Sequence, residues 1–272
     1  MAEQNPDESE SPETEEAEER QSPSSRVVHE AIIAEGVEEL ERPNSALAWS
    51  GLAGGLSMGF SLIAEATLRA AIPDRPWRPL VTQLGYSVGF LIVILGRQQL
   101  FTENTLTPIL PLLDRKGSAT IANVLRLWVV VLLANLVGAA LMAGAITRHV
   151  VLSPEVHDAV IRIGHETLEP SALAILWRGV FAGWLVALIV WLLPFAESAR
   201  IWVIVIITYV IGIAHFSHVV AGSIDVFALA WVGEASWGHV LIHFVLPALV
   251  GNIVGGGALV ASLNHAQVVA GD

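Results

Sequence analysis

The sequence predicts an all-α membrane protein: six transmembrane helices forming two inverted three-helix repeats, with the second and fifth helices broken. Three observations predict it. Of 272 residues, 54% are hydrophobic and only 15% charged, whereas soluble domains carry about 25% charge. Six apolar segments follow one another, the continuous ones long enough for a hydrocarbon core of roughly 30 Å. Two of the six are interrupted by polar residues, and the same Asn-x-Val-Gly pattern follows each interruption at nearly the same distance.

Residues 1–20 hold nine of the 26 acidic side chains and one of the 14 basic ones, so the net charge of −12 belongs largely to the tail. It implies no nucleic-acid partner. The absence of cysteine excludes disulfides and Cys-metal sites. Residues 1–25, rich in Glu, Ser and Pro, read as a disordered acidic tail. The start lacks a basic region followed by an apolar one, so no cleavable signal peptide is expected. Residues 26–42 read as an amphipathic helix, with Val27, Ala31, Ala34 and Val37 at helical spacing, ended by Pro43.

Residues 43–265 read as the six-span transmembrane domain, followed by a C-terminal tail, 266–272. The first span, about Ala46–Ala66, carries Gly51, Gly54, Gly55 and Gly59, which allow close helix contact. The second is Leu80–Leu95 with a broken continuation to Leu113. The third and fourth are about Ile121–Ile146 and Ala172–Phe195. The fifth is Ile201–Ala214, an interruption, and a short apolar piece to Val232; the sixth is about Val240–Ser262. An even number of crossings puts both ends on one face. The arginines of the loops run against the positive-inside expectation for termini on the inside, so charge does not choose the orientation.

The first interruption is the stretch from Gly96 to Pro108, with Arg97, Gln98, Gln99, Thr102, Glu103 and Asn104. The second runs from Gly212 to Asp225, with His215, Ser217, His218 and Ser223. Backbone that leaves a helix inside a bilayer must find partners within protein or line a wet cavity, and polar side chains at that depth mark a solute path. Thr102 stands 33 residues before Asn135, and His218 stands 34 before Asn252. Three spans per half is an odd number, so the halves insert oppositely and their broken helices face each other near the midplane. Leu100, Phe101 and Phe216 beside the polar groups are candidate constrictions. Arg97, Gln98 and Gln99 either line a vestibule or cap freed carbonyls. Asn135 and Asn252 read as interhelical hydrogen-bonding residues.

Leu100-Phe101-Thr102, His218-Val219-Val220-Ala221 and Gly251-Asn252-Ile253-Val254-Gly255-Gly256, in that order on six spans, resemble the motifs of the formate/nitrite transporter family. The likeness covers about Ala46 to Ser262. It implies an aquaporin-like fold, a homopentamer with one pore per protomer, cytoplasmic termini in the bacterial inner membrane, and no cofactor. It also implies passage of small monovalent anions or their conjugate acids, with Thr102 and His218 meeting at the pore centre. The chain departs from the family pattern at Ser217 and Gly222. Arg162, His165 or Arg178 would have to replace the family's lysine near the fourth span, and Glu103 adds a negative charge that an anion path would not want.

An anion in a dry constriction is more readily neutralised than buried. A histidine with an ordinary pKa near ~6.5 can hand it a proton or hold it by charge, with Thr102 orienting the ring. Two other classes stay open on sequence alone. His215, His218, His239 and His243, with Asp225 between them, have spacings that put pairs on one helix face, as an intramembrane metal enzyme requires. A membrane scaffold acting through the acidic tail would be indifferent to losing Thr102 or His218.

Overall fold

The computed structural model describes residues 24–114 and 117–270; among them every regular element is helical. The expected tail, 1–25, lies almost wholly outside the described residues. Helix α1, Ser25–Glu41, starts on Ser24, whose hydroxyl accepts from the Val27 amide. Its inward face is His29, Ile32, Gly36 and Leu40, not the expected stripe, since Val27 is 46% exposed. Two contacts turn the helix this way. His29 meets His265 at 3.2 Å, and Gly36 packs against Pro111 and the Thr107 carbonyl.

Five helical stretches are long and apolar enough to cross a membrane: Asn44–Ala71, Arg78–Leu95, Ser118–Ile146, Ala172–Phe195 and Trp237–Val268. We label Asn44–Ala71 α2; Arg78–Thr82 and Ser87–Leu95 α3 and α4; Ile109–Asp114 α5; and Ser118–Ile146 α6. Pro154–Leu168 is α7, Ala172–Leu192 α8, Arg200–Ile213 α9 and Val219–Val232 α10. Trp237–Val268 is α11 and includes two π-helical stretches, Val240–Val245 and Val254–Ala261. The helical structure extends to Ala270, through the expected C-terminal tail. The contact between His29 and His265 puts both described ends on one face.

The inverted repeat is visible in the packing. Helix α2 lies along α6 and α8 along α11. A Cβ on Gly55 would collide with the Asn135 carbonyl, and one on Gly183 with that of Asn252. Each half thus brings a glycine of its first helix onto the backbone of its third. Outward faces are apolar: Leu125, Val129, Leu133, Val137 and Leu141 repeat along α6, and Trp177, Trp202 and Ile206 are exposed likewise. Such surfaces suit lipid or another copy.

Helix α7 was not foreseen in the loop before the fourth span. Its signals are ordinary ones: Ser153 as N-cap, Pro154 at the first turn, Glu155 in it, and an inward face of His157, Val160, Ile163 and Gly164. It lies across α2 and α10, on the face opposite the termini.

Candidate functional site

Both broken helices end by the same device. After α4, Gly96 N bonds Ile92 O, Arg97 N bonds Ile94 O, and Gln98 N bonds Val93 O. After α9, Ala214 N bonds Val210 O, His215 N bonds Gly212 O, and Phe216 N bonds Ile211 O, each 118 residues later. This is the Schellman pattern, which wants a left-handed residue, usually glycine, after the helix. Here Arg97 and His215 take that role, each at φ 51°, a strained choice for a side-chain-bearing residue. Gly212 and Gly222, expected to break the fifth span, are helical and serve packing instead: Gly212 against Gln83 and Gly222 against the Phe244 ring. The interruption is only Ala214–His218.

Asn135 and Asn252 hold the freed backbone. Asn135 donates to the carbonyls of Gly51 (2.7 Å) and Gln99 (2.9 Å) and accepts from Phe101 N at 2.8 Å. Asn252 donates to Gly179 (2.8 Å) and Ser217 (2.9 Å) and accepts from Val219 N at 2.8 Å. Both are fully buried. These bonds fix the register of the repeat: Gln99 matches Ser217, Phe101 matches Val219, and so Leu100 matches His218. The spacing had paired Thr102 with His218, which is two residues out. A count along the chain cannot see that the asparagine grips the residues on either side of the central one.

Thr102 and His218 nevertheless meet, as neighbours across the repeat and not as equivalents. Thr102 Oγ1 lies 2.6 Å from His218 Nε2, both buried. His218 Nδ1 accepts from Val220 N (3.2 Å) and Ala221 N (3.1 Å), capping α10 with its own side chain. With Nδ1 accepting, the proton sits on Nε2 and is donated to the Thr102 hydroxyl. Phe90 packs edge-on against the ring at 5.0 Å between centroids; no local pattern singles it out.

The other candidates separate by position. Leu100 and Phe101 are sealed beside the break, Phe101 against Trp128 at 5.9 Å. Phe216 stacks on Phe181 at 5.2 Å. Asn104 donates to Gln99 Oε1 (2.7 Å), whose own amide donates to Glu39 Oε2 (2.8 Å), tying the break to α1. Arg97 points outward, its side chain 75% exposed and 3.8 Å from Glu35, so it caps none of the freed carbonyls. Glu103 follows Thr102 on a short 3-10 turn, and its Oε1 is buried with no hydrogen-bond partner.

On the face opposite the termini a vestibule leads down to His218. Phe216, Ser217, Phe244, His215, Arg178 and Asp225 line it. Its wall also carries a charged lattice that sequence reading missed. Gln83 donates to Glu65 (2.7 Å); Glu65 pairs with Arg69 (2.8 Å); Arg69 forks onto both oxygens of Glu166 (2.9 and 2.7 Å). The available signal was Glu65 and Arg69, four apart inside an apolar span. Of the three cations weighed for the fourth-span position, only Arg178 reaches the vestibule; His165 pairs with Glu234 at 2.5 Å and Arg162 is exposed.

The metal-enzyme alternative gets no support from the placement of its histidines. His239 and His243 stack on each other, and His243 bonds the Pro170 carbonyl at 2.9 Å. Among the described residues no group of three or more His, Cys, Asp or Glu is placed to hold a metal ion.

Outside the membrane-spanning segments, burial and then the neighbouring His265 hold His29 below the ordinary histidine value. Burial raises Glu39, against the pull of Arg42.

Two half-helix pairs, inverted and capped by matched asparagines around one polar contact, define a multi-pass membrane protein of the pore-forming transport class. Comparison with known proteins specifies which. Residues 26–266 match the family model described as formate/nitrite transporter, and the chain belongs to that family. It is similar to the inner membrane protein YfdC of Escherichia coli (strain K12), 39% identical over 89% of this chain and 78% of the relative. It is also similar to the formate channel BtFdhC of Bacillus thuringiensis, 28% identical over 86% of this chain and 91% of that one. A solved pentameric formate channel with formate bound superposes with a TM-score of 0.70 at 19% identity, covering 83% of this chain and 98% of the other. The family is one of channels and transporters, and the chain is not an enzyme.

Proposed function

We propose that each protomer conducts small monovalent anions or their conjugate weak acids through a path centred on Thr102 and His218. One observation carries this reading: the two breaks bring the Thr102 hydroxyl and the His218 ring within 2.6 Å of each other, at the inner end of a vestibule. A neutral ring that donates to a threonine leaves the threonine proton free to turn toward a passing oxyanion. Leu100, Phe101 and Phe216 narrow the path around that polar centre, and His215 stands at its mouth. Asn135 and Asn252 hold the geometry. The naming of similar proteins as formate channels supports small carboxylates as the solute class.

The protein works as a homopentamer in the bacterial inner membrane with cytoplasmic ends. The similar solved channel is pentameric, and the similar Escherichia coli protein is an inner membrane protein. Residues 26–42 form a helix lying against the channel domain of 43–265; a chain starting at Arg26 assembles as the same oligomer.

The test is uptake of a panel of small solutes into proteoliposomes. His218→Phe removes the donor to Thr102 and abolishes flux of the accepted weak acid, while His215→Phe keeps most of it. The reverse outcome moves the central role to His215, and indifference to both refutes the pore path.

A further inference from the structure

The polar centre has a donor but no evident source of protons. For His218 to take up a second proton, Nδ1 would have to carry an N–H. Both N–H groups of the α10 cap point at that atom already, from Val220 and Ala221. The ring is therefore fixed as a neutral donor. Glu103, the next residue after Thr102, is different. Its Oε1 is sealed from solvent and has no hydrogen-bond partner among the described residues. A buried carboxylate is tolerated when it is paired, hydrogen-bonded or neutral; the sealed oxygen of Glu103 is neither paired nor hydrogen-bonded among the described residues, which favours the neutral acid.

The charged groups around Glu103 come from one side. From α1, Glu35 and Glu39 act on it electrostatically. Their cationic partners are Arg97 at 3.8 Å from Glu35 and Arg42 at 3.0 Å from Glu39, so neither cation is free for Glu103. Helices α8 and α11 also pack on the 103–105 turn. Arg178 of α8 belongs to the vestibule on the opposite face; of α11, His239 and His243 sit together at that helix's start and His265, near its end, is engaged with His29. Glu103 thus stands between the polar centre and the acidic face of α1, on the side where the described ends lie.

We propose that Glu103 is the proton-exchanging carboxyl of the path: it gives a proton to a small carboxylate that has reached Thr102 from the face on which α1 lies, and recovers one from that same face, so that solute and proton cross together. The step balances as a proton transfer alone. The O–H bond of the Glu103 acid breaks, an O–H bond forms on the solute, and the solute leaves neutral. Glu103, left ionised beside Glu35 and Glu39, takes the next proton from water on that face. The negative charge that looked wrong for an anion path is then the coupling device, and an anion cannot pass it without a proton. This inference rests on the weak-acid reading above.

The experiment uses the full chain in proteoliposomes with a pyranine-type pH dye inside, measuring formate entry and proton entry together from pH 5.5 to 8. Wild-type protein oriented with the α1 face outward is expected to move about one proton per formate, with flux falling several-fold as pH rises. Glu103→Gln, similar in shape and unable to exchange a proton, is expected to uncouple the two, with proton entry per formate dropping at least five-fold and the pH profile flattening. Glu103→Asp is expected to restore coupling. Glu35→Gln, half-exposed and outside the path, removes a like charge and is expected to move the pH midpoint downward. If wild-type protein carries neither formate nor any other weak acid, the transport reading falls and this inference with it. If it does carry formate, and Glu103→Gln keeps the wild-type proton ratio and profile, the inference alone is overturned. If Glu103→Gln does not assemble, the outcome for Glu103→Asp and the Glu35→Gln shift decide: an unshifted midpoint and an uncoupled aspartate refute it.

Discussion

Replacing Asn252 by alanine removes three buried hydrogen bonds at once, to Val219 N, Ser217 O and Gly179 O. Two of the three orphaned groups belong to backbone that has left its helix and has no intrahelical alternative. Hydrogen bonds inside membrane proteins contribute about 0.6 kcal/mol on average and up to about 1.7 kcal/mol, so losing three costs about 2–5 kcal/mol. Asn135→Ala removes the matched set, to Phe101 N, Gln99 O and Gly51 O, and should cost the same within about 1 kcal/mol. Asn104→Ala, which loses one side-chain bond to Gln99, serves as the comparison at about 1 kcal/mol. The assay is denaturant or thermal unfolding of the purified oligomer in detergent, with solute flux measured in parallel. Flux should fall in both asparagine variants, since each break loses the anchor that positions Thr102 or His218. A cost no larger than that of Asn104→Ala, or a large cost at one asparagine and none at the other, would refute the matched-anchor reasoning.

Two further outcomes follow from the charged groups. Arg69→Ala strands Glu65, whose side chain is 6% exposed, and should destabilise by about 3–5 kcal/mol. Glu166→Gln, 49% exposed at the other end of the fork, should cost below about 1 kcal/mol; equal costs in the same unfolding assay would show that the lattice is not buried as described. His29 is held below 6.5 by burial and His265, with Asp114 and Glu30 opposing. Its neutral form therefore favours docking of α1 on His265 above that pH, and the contribution is lost as pH falls through the lowered value. Protection factors of residues 25–41, with exchange rates corrected for their intrinsic pH dependence, should be lower at pH 5 than at pH 7.5, and His29→Phe should remove the difference.

Composition alone determined that this chain lives in a membrane, because so apolar a sequence has nowhere else to bury its surface. The paired interruptions, and the asparagine that follows each, also made the inverted repeat legible, since backbone broken at membrane depth demands nearby polar partners. The same reasoning gave Thr102, His218 and the two asparagines. What it missed is what depends on approach between distant segments. The register of the repeat was two residues out, because only the bonds to Asn135 and Asn252 show which amide and which carbonyl each side chain grips. The glycines of the fifth span read as breakers, yet two of them are sites of close packing, and the residues that turn the chain, Arg97 and His215, are ones local propensity would not choose. The acidic face of α1 became meaningful only when folding set it beside Glu103. Glu65, Arg69 and Glu166 are 101 residues apart from first to last and become one lattice because α7 folds over α2. Periodicity and spacing record what a segment does on its own; which charges neutralise each other, and which one is left without a partner, is decided only when segments far apart in sequence exclude water between them.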